Sequence, residues 1–379
     1  MKKNAQLGQV FTPPEIVRRM FALRRNFGRV LEPSAGDGAF LRLAENATGI
    51  EIDPRLAGQS GALCADFFDY ADEHKFDTIV GNPPYVRHQD IPARTREKLR
   101  RDLFDGRSNL YLFFIEKCLR HLRGGGELIF ITPRDFLRAT AARRLNRLLY
   151  ESGTITDFIE LGDARVFSGA SPNCAIWRFV KGDFSRRANG GRETFFFNDG
   201  QIFFARGEYA VPCRDIFRIK VGAVSGMDSV FADEKYGNRS FVCSRTAATG
   251  ETRRMIYDSF HPVLRRHKQI LMARKIRRFD ETNWWRWGRA HFESDRPRVY
   301  VNAKTRAAAP FFLHSSRDYD GSVLAVFPRD ETADLRKLRD KLNAVNWREL
   351  GFVCGGRFLF AQRGLQNCLL PKSFAADAD

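Results

Sequence analysis

The chain has 379 residues, 43% of them hydrophobic, enough to bury the cores of two ordinary domains. With 63 Lys and Arg against 45 Asp and Glu it carries +18 and a pI near 9.9, which points to a polyanionic partner, nucleic acid first. No run approaches the ~18 apolar residues of a membrane span, and Met1-Lys2-Lys3-Asn4-Ala5-Gln6 has no apolar stretch behind it, so neither a membrane helix nor a signal peptide is expected. The seven cysteines form no CxxC pair and have no histidine at zinc-ligand spacing, which suggests reduced thiols in a cytoplasm and no metal site.

In chain order, helices are predicted at Pro14–Leu23, Ala39–Asn46, Asn109–Leu122 and Arg134–Tyr150, and strands at Arg29–Glu32, Ala47–Ile52, Phe76–Val80 and Glu127–Thr132. The alternation implies an α/β fold, a parallel sheet with helices on both faces. The apolar runs Ile155–Leu161 and Cys174–Val180 leave no room for a helix between them and read as an antiparallel hairpin at the sheet edge. The Gly- and Arg-rich stretch Lys181–Arg192 then marks a domain boundary, giving domains 1–185 and 186–379. Beyond it come short β-like runs (Thr194–Phe197, Val299–Val301, Val323–Val326, Arg357–Phe360) and one helix, Thr332–Val345: a mixed α+β domain. Charge divides unevenly: residues 1–180 hold 27 basic and 22 acidic side chains, a net of +5, and residues 181–379 hold 36 and 23, a net of +13. The polyanion surface is therefore expected mainly in the second half.

Three pieces of the first half carry a cofactor signal. Leu31-Glu32-Pro33-Ser34-Ala35-Gly36-Asp37-Gly38 is a strand end and a small-residue turn, where glycine lets the backbone approach a ligand. Thr48-Gly49-Ile50-Glu51-Ile52-Asp53 places a carboxylate at the end of the next strand, suited to ribose hydroxyls. Cys64-Ala65-Asp66-Phe67-Phe68 adds an acid and an aromatic that suit the amino group and the π-face of an adenine. A dinucleotide site would present a glycine-rich helix start to a pyrophosphate. Here Glu32 and Asp37 flank the turn, which favours a cationic cofactor instead.

The strand Phe76–Val80 and Gly81 lead directly into Asn82-Pro83-Pro84-Tyr85. Ligands of open α/β sheets bind at the carboxyl ends of strands, so chemistry belongs here. The prolines stiffen the loop and remove backbone donors. That leaves the Asn82 side-chain oxygen and the Pro83 carbonyl as two fixed acceptors for a planar –NH₂ group, with Tyr85 as an aromatic face. The amine is neutral, so no general base has to act before attack.

On these motifs the sequence resembles the gamma-class, Taq-like DNA adenine-N6 methyltransferases of restriction-modification systems. Phe11-Thr12-Pro13-Pro14-Glu15-Ile16-Val17 is similar to their first cofactor motif, Leu31–Phe40 to the glycine motif, Asn82–Tyr85 to the catalytic motif, and Asn109-Leu110-Tyr111 through Lys117 and Leu122–Pro133 to the helix and strand that follow. The likeness is strong over roughly residues 8–180 and diffuse beyond. It implies a Rossmann-like class I methyltransferase sheet with a C-terminal target-recognition domain, and S-adenosylmethionine as cofactor. Implied cofactor contacts are Thr12, Glu32, Ser34, Gly36, Glu51, Ile52, Asp66, Phe67, Pro84 and Phe114. Implied catalytic contacts are Asn82, Pro83 and Tyr85, with Phe167 of Val166-Phe167-Ser168 as a second aromatic sandwiching a flipped-out adenine. Ile219–Gly226 resembles the opening of a recognition domain, and Arg274-Lys275-Ile276-Arg277-Arg278 with Trp284, Trp285 and Trp287 mixes cations and aromatics suited to DNA.

The expected partner is double-stranded DNA, with the protein acting as a cytoplasmic monomer and a separate cognate restriction endonuclease as a candidate companion. About ten residues precede the first motif, so no N-terminal nuclease is expected. RNA adenine and protein-glutamine methyltransferases share the Asn-Pro-Pro-Tyr site and form the alternative reading. A silent nucleic-acid-binding scaffold is a third, disfavoured by the intact tetrapeptide and Glu51.

Overall fold

A computed structural model describes residues 10–100, 102–104, 108–161, 173–354 and 356–377. The chain forms two compact units, Met1–Arg206 and Gly207–Asp379.

The first unit is built on a seven-stranded sheet in the order β3-β2-β1-β4-β5-β7-β6. The strands are β1 (Val30–Glu32), β2 (Ala47–Glu51), β3 (Leu63–Cys64), β4 (Phe76–Gly81), β5 (Leu122–Pro133), β6 (Gly153–Glu160) and β7 (Cys174–Lys181). All neighbours from β3 to β5 are parallel; β7 runs antiparallel to both β5 and β6. This is the class I methyltransferase sheet that the sequence led us to expect, hairpin included. The central strands are apolar without alternation because both faces are covered: Leu128, Ile129, Phe130 and Ile131 of β5 are all fully buried.

Chain order explains where a site can form. The chain runs outward from β1 to β3, then returns to β4 on the other side of β1. Loops leaving β1 and β4 therefore diverge and open a crevice at their carboxyl ends. Those loops begin at Pro33 and Asn82.

Four helices of the unit matter here: α1 (Pro14–Phe21), α2 (Pro54–Ser60), α3 (Leu110–His121) and α4 (Arg143–Ser152). Proline opens both α1 and α2, and Asp53 caps α2 by accepting from the Arg55 amide at 2.9 Å. Asn109 caps α3, which is buried on nearly every side. Lys117 on α3 is satisfied by the Tyr70 carbonyl at 2.7 Å and Asp72 at 3.1 Å.

Two predicted helices are corrected. Ala39–Asn46 holds only a 3₁₀ turn, Leu41–Leu43, because the chain must reverse into β2 at once, with Asn46 at φ +56°. Arg134–Tyr150 breaks into 3₁₀ turns at Arg134–Leu137 and Thr140–Ala142 before α4 begins. The buried Asn146 amide takes up the carbonyls that the break leaves over, donating to Phe136 and Leu137 at 2.9 and 3.1 Å.

The unit also runs past the composition break at Lys181–Arg192. A small antiparallel sheet of β8 (Arg187–Ala188), β9 (Glu193–Asn198) and β10 (Gln201–Ala205) folds back onto it. Phe204 stacks on Phe158 with centroids 4.9 Å apart, Phe197 stacks on Tyr150 at 5.7 Å, and Asn146 reaches the Gly200 carbonyl at 2.9 Å. Half-buried aromatic contacts, invisible in local composition, tie this sheet into the compact unit, which runs to Arg206.

The second unit centres on a four-stranded antiparallel sheet, ordered Phe217–Val221, Val323–Pro328, Val299–Asn302 and Phe311–Phe312. The helix Leu335–Ala344 is capped by Asp334. Trp284 and Trp287 are buried in an aromatic cluster, so they do not present faces to a partner. Arg274 is buried as well. It donates to the carbonyls of Leu271, Ser225, Trp284 and Arg286, and burial pushes its pKa down to about 10. Its neighbours Lys275, Ile276, Arg277 and Arg278 are exposed.

His121, at the end of α3, is fully buried, with Nδ1 2.8 Å from the His74 carbonyl. Burial first, then the charges of Lys117 and Arg120, push its pKa down to about 4, against the pull of the His74 carbonyl and Asp72. The unfolded chain thus takes up this proton near pH 6.5 and the folded chain only near pH 4. The neutral ring's contribution is complete above pH 6.5 and falls away as the pH drops through that window. Urea unfolding of wild type and His121→Gln at pH 7.5 and pH 5 is expected to show wild type losing about 2 kcal/mol more on acidification. Equal losses would remove His121 as the cause.

Candidate active site

The crevice between the β1 and β4 loops is an open cavity of about 800 Å³, counted to its mouth in solvent. Ser34 and Gly36 line it from the β1 loop, Glu51 and Ile52 from the end of β2, Asp66 and Phe67 from beyond β3, Asn82 and Pro84 from the β4 loop, and Phe114 from α3. Nine of the sequence-assigned residues thus meet in one place. Val10, Phe11, Phe68 and Thr95 also line it, and sequence reasoning assigned none of these four a role. Phe11 lay inside a quoted motif; Thr95 had no signal of any kind.

The β1 turn is held by backbone conformation. Gly36 and Gly38 have φ of +53° and +76°, and a Cβ on Gly38 would meet the Ser60 Cβ at 2.9 Å. Glu51 ties this turn to β2: Oε2 accepts the Gly36 amide at 2.7 Å and Oε1 the Asp53 amide at 2.9 Å. Each oxygen keeps a lone pair for a ligand hydroxyl. Asp66 is more heavily committed. Oδ1 accepts the Phe68 amide at 3.0 Å, while Oδ2 takes the Thr95 hydroxyl at 2.9 Å and Lys98 at 3.0 Å. Phe67 and Phe114 pack at 5.2 Å between centroids and give the cavity an aromatic floor.

Glu32 is not on the cavity wall. It is 2% exposed, its Oε2 accepts the Leu41 amide at 3.1 Å, and burial, reinforced by Asp37 and Glu51, holds its pKa well above the usual carboxylate range. It acts as the internal brace of the β1 turn. Thr12 is also buried and is not among the lining residues; its hydroxyl accepts the Asn82 amide at 3.2 Å. Phe167 lies outside the described residues.

The β4 loop carries the most telling feature. The Asn82 amide nitrogen donates to the Val10 carbonyl at 3.1 Å and to Thr12 Oγ1 at 3.2 Å, and the Ser34 hydroxyl donates to the Asn82 backbone carbonyl at 3.2 Å. Asn82 Oδ1 is buried and has no hydrogen-bond partner among the described residues. A buried, unpaired amide oxygen costs stability, and Asn82 is one of the residues lining the crevice. Pro83 is buried beneath it. Tyr85 donates its hydroxyl to the Ile131 carbonyl at 2.9 Å and meets Tyr111 edge-on at 5.9 Å, so its ring is fixed in place.

Residues 43–167 match the Eco57I restriction-modification methylase family model. Over that segment the first unit is similar to these restriction-modification methylases. Its curated relatives agree. Type II methyltransferase M.HincII of Haemophilus influenzae is 32% identical over 192 residues, 48% of this chain and 38% of that protein. M.TthHB8I of Thermus thermophilus is 36% identical over 197 residues, 46% of this chain and 45% of that protein. The match thus spans less than half the length of either relative. Among solved structures, the Type IIL restriction-modification enzyme MmeI in complex with DNA aligns with a TM-score of 0.59 at 12% identity, over 94% of this chain and 64% of that one. At that identity the likeness is one of fold. The matched segment includes Glu51, Asp66 and the whole Asn82–Tyr85 loop.

The cavity suits S-adenosylmethionine on its own chemistry. Glu51 offers carboxylate lone pairs for hydroxyls, Phe67 and Phe114 an aromatic wall, and the Gly36 turn an approach free of side chains. Among the described residues no helix is long and apolar enough to cross a membrane.

Proposed function

We propose that this protein is a site-specific DNA methyltransferase that transfers the methyl group of S-adenosylmethionine to the N6 amino group of a flipped-out adenine. The unpartnered Oδ1 of Asn82 carries the reading. A planar amine whose two hydrogens meet Asn82 Oδ1 and the Pro83 carbonyl is held by both at once. Its lone pair is drawn from ring conjugation and turned toward the methyl donor. S-adenosylmethionine, when bound, supplies an electrophilic methyl on a sulfonium. Fixing the amine in line with that methyl converts a bimolecular encounter into a near-attack geometry. The nitrogen–carbon bond would form as the methyl carbon–sulfur bond breaks, leaving a neutral thioether and a cationic amine whose proton would then pass to water.

In this reading Glu51 holds the cofactor's ribose, while Ser34, Gly36, Ile52, Asp66, Phe67, Pro84 and Phe114 complete its cavity. Tyr85, fixed by Ile131 and Tyr111, presents a ring for the base to stack on; Phe167, outside the described residues, is the candidate for a second aromatic. An adenine inside a duplex cannot reach such a crevice, so the base leaves the helix first. The basic residues 181–379, net +13, supply the phosphate-binding surface. Exposed Lys275, Arg277 and Arg278, carried on the loop that buried Arg274 anchors, are candidate cations for that task.

The test is direct. The gene is expressed in a host lacking adenine methylation, and the DNA is read for N6-methyladenine by base-resolved sequencing. Modification at one short recurring sequence is expected. Unmodified DNA, with labelled methyl instead entering RNA or a glutamine-bearing protein in vitro, would sink the DNA assignment and favour the alternative use of the same site.

A further inference from the structure

Asparagine has a nitrogen end and an oxygen end of nearly equal size, and the two can exchange by rotation of the amide. The proposed chemistry works with only one of them facing the substrate. An –NH₂ turned toward an amine would set donor against donor. Something must therefore choose the orientation of Asn82.

Val10 makes that choice. A backbone carbonyl can only accept, so the end of the amide 3.1 Å from the Val10 oxygen must be the nitrogen. Thr12 Oγ1 takes the second hydrogen at 3.2 Å, and Thr12 is only 7% exposed, so water competes poorly for it. With both hydrogens engaged on one side, Oδ1 is left unpartnered on the other. The same segment is also part of the cavity: Val10 and Phe11 line it, and the Phe11 ring lies 3.7 Å from where a Cβ on Gly36 would stand. The Ser34 hydroxyl, on the turn that Phe11 faces, holds the backbone carbonyl of Asn82 at 3.2 Å.

We propose that Val10-Phe11-Thr12 is a positioning element that fixes the flip state of the Asn82 amide, with Thr12 acting on the reaction through Asn82. The inference rests on the reading of Asn82 as the acceptor for the target amine. Phe11 against the cavity and Thr12 against Asn82 make one short segment responsive to both halves of the site. Transfer then depends on Thr12 through the rate constant and only weakly through cofactor affinity.

Three variants of the full-length protein test this, assayed with radiolabelled S-adenosylmethionine and unmethylated bacterial genomic DNA. Thr12→Val keeps the shape and removes the acceptor; kcat is expected to fall about tenfold, the loss of one buried hydrogen bond, with the cofactor dissociation constant within about twofold of wild type. Thr12→Ala should give the same deficit without crowding. Thr12→Ser, which restores the hydroxyl, should recover most of the rate. An unchanged kcat in Thr12→Val, or a tenfold weaker cofactor affinity with kcat preserved, would overturn the positioning role and leave the Asn82 reading standing. Wild-type protein that methylates no adenine would instead overturn the underlying function. If both apolar variants fail to fold, the unmutated chain decides. With asparagine selectively ¹⁵N-labelled, the Asn82 amide protons should show nuclear Overhauser contacts to Val10 and Thr12, and their absence would refute the orientation.

Discussion

Replacing Asn82 with alanine is expected to lower the rate of methyl transfer by at least about a hundredfold while leaving S-adenosylmethionine affinity within about threefold of wild type. The side chain supplies the one buried acceptor in the crevice that has no partner of its own among the described residues. Its removal takes away an interaction that strengthens as the amine gains positive charge, and such interactions appear in kcat rather than in ground-state binding. The cavity's ligand-holding groups, Glu51 and the Gly36 turn, are braced by each other at 2.7 Å and do not depend on Asn82. Single-turnover transfer of labelled methyl, with cofactor binding measured by calorimetry on the same preparations, separates the two quantities. A variant that binds cofactor a hundredfold more weakly yet transfers at the wild-type rate when saturated would show that Asn82 is a binding residue.

Arg178→Met is expected to destabilise the first unit by about 3–5 kcal/mol, the usual cost of stranding one partner of a buried ion pair. Glu127 of β5 is fully buried at the middle of the sheet. Its carboxylate takes Arg178 Nε of β7 at 2.6 Å, the backbone amides of Arg25 and Asn26 at 2.9 Å each, and the Thr78 hydroxyl of β4 at 3.1 Å. Arg178 in turn donates to Thr156 of β6 at 2.8 Å. One carboxylate therefore ties together three strands and the chain that follows α1. Removing the guanidinium leaves an uncompensated charge in the core. Urea unfolding gives the number. The double replacement Glu127→Gln with Arg178→Met is expected to recover part of the loss, because the fully buried position 127 then carries no charge. A loss below about 1 kcal/mol in the single variant would mean that water reaches Glu127 on replacement. Glu127 pairs with Thr78, several residues before the catalytic loop, so transfer per folded molecule should change little in either variant.

Much of the site could be read from the residues because it is local. Asn82-Pro83-Pro84-Tyr85 follows β4 directly, and the Gly36 turn follows β1 directly. Once the parallel order is inferred, the carboxyl ends of those strands must converge. Glu51, Asp66 and Phe67 sit at corresponding ends of the next two strands. Where the reading went astray, the deciding partner is distant in sequence or the burial is not local. Glu32 has the composition of a ligand-facing acid, but packing draws it beneath the turn to the Leu41 amide. Asp66 does line the cavity, but Lys98, 32 residues on, claims one of its oxygens, a pairing unforeseen in the sequence. Trp284, Trp287 and Arg274 looked like a contact surface and are the interior of the second unit.

The sequence by itself determined the alternating fold, the sheet-edge hairpin, the loops that form the crevice and the basic excess of the second half. These follow from periodicity, strand-end position and charge, all carried by neighbouring residues. Only the tertiary structure decided which acids face the cavity, where the first compact unit ends, and which end of the Asn82 amide is offered to a ligand. Two of those depend on a contact across a long stretch of chain, Phe158 with Phe204 and Val10 with Asn82, 72 residues apart, and the third on the burial of Glu32. Hydrogen-bond direction and burial are properties of the packed chain, and no local pattern encodes them.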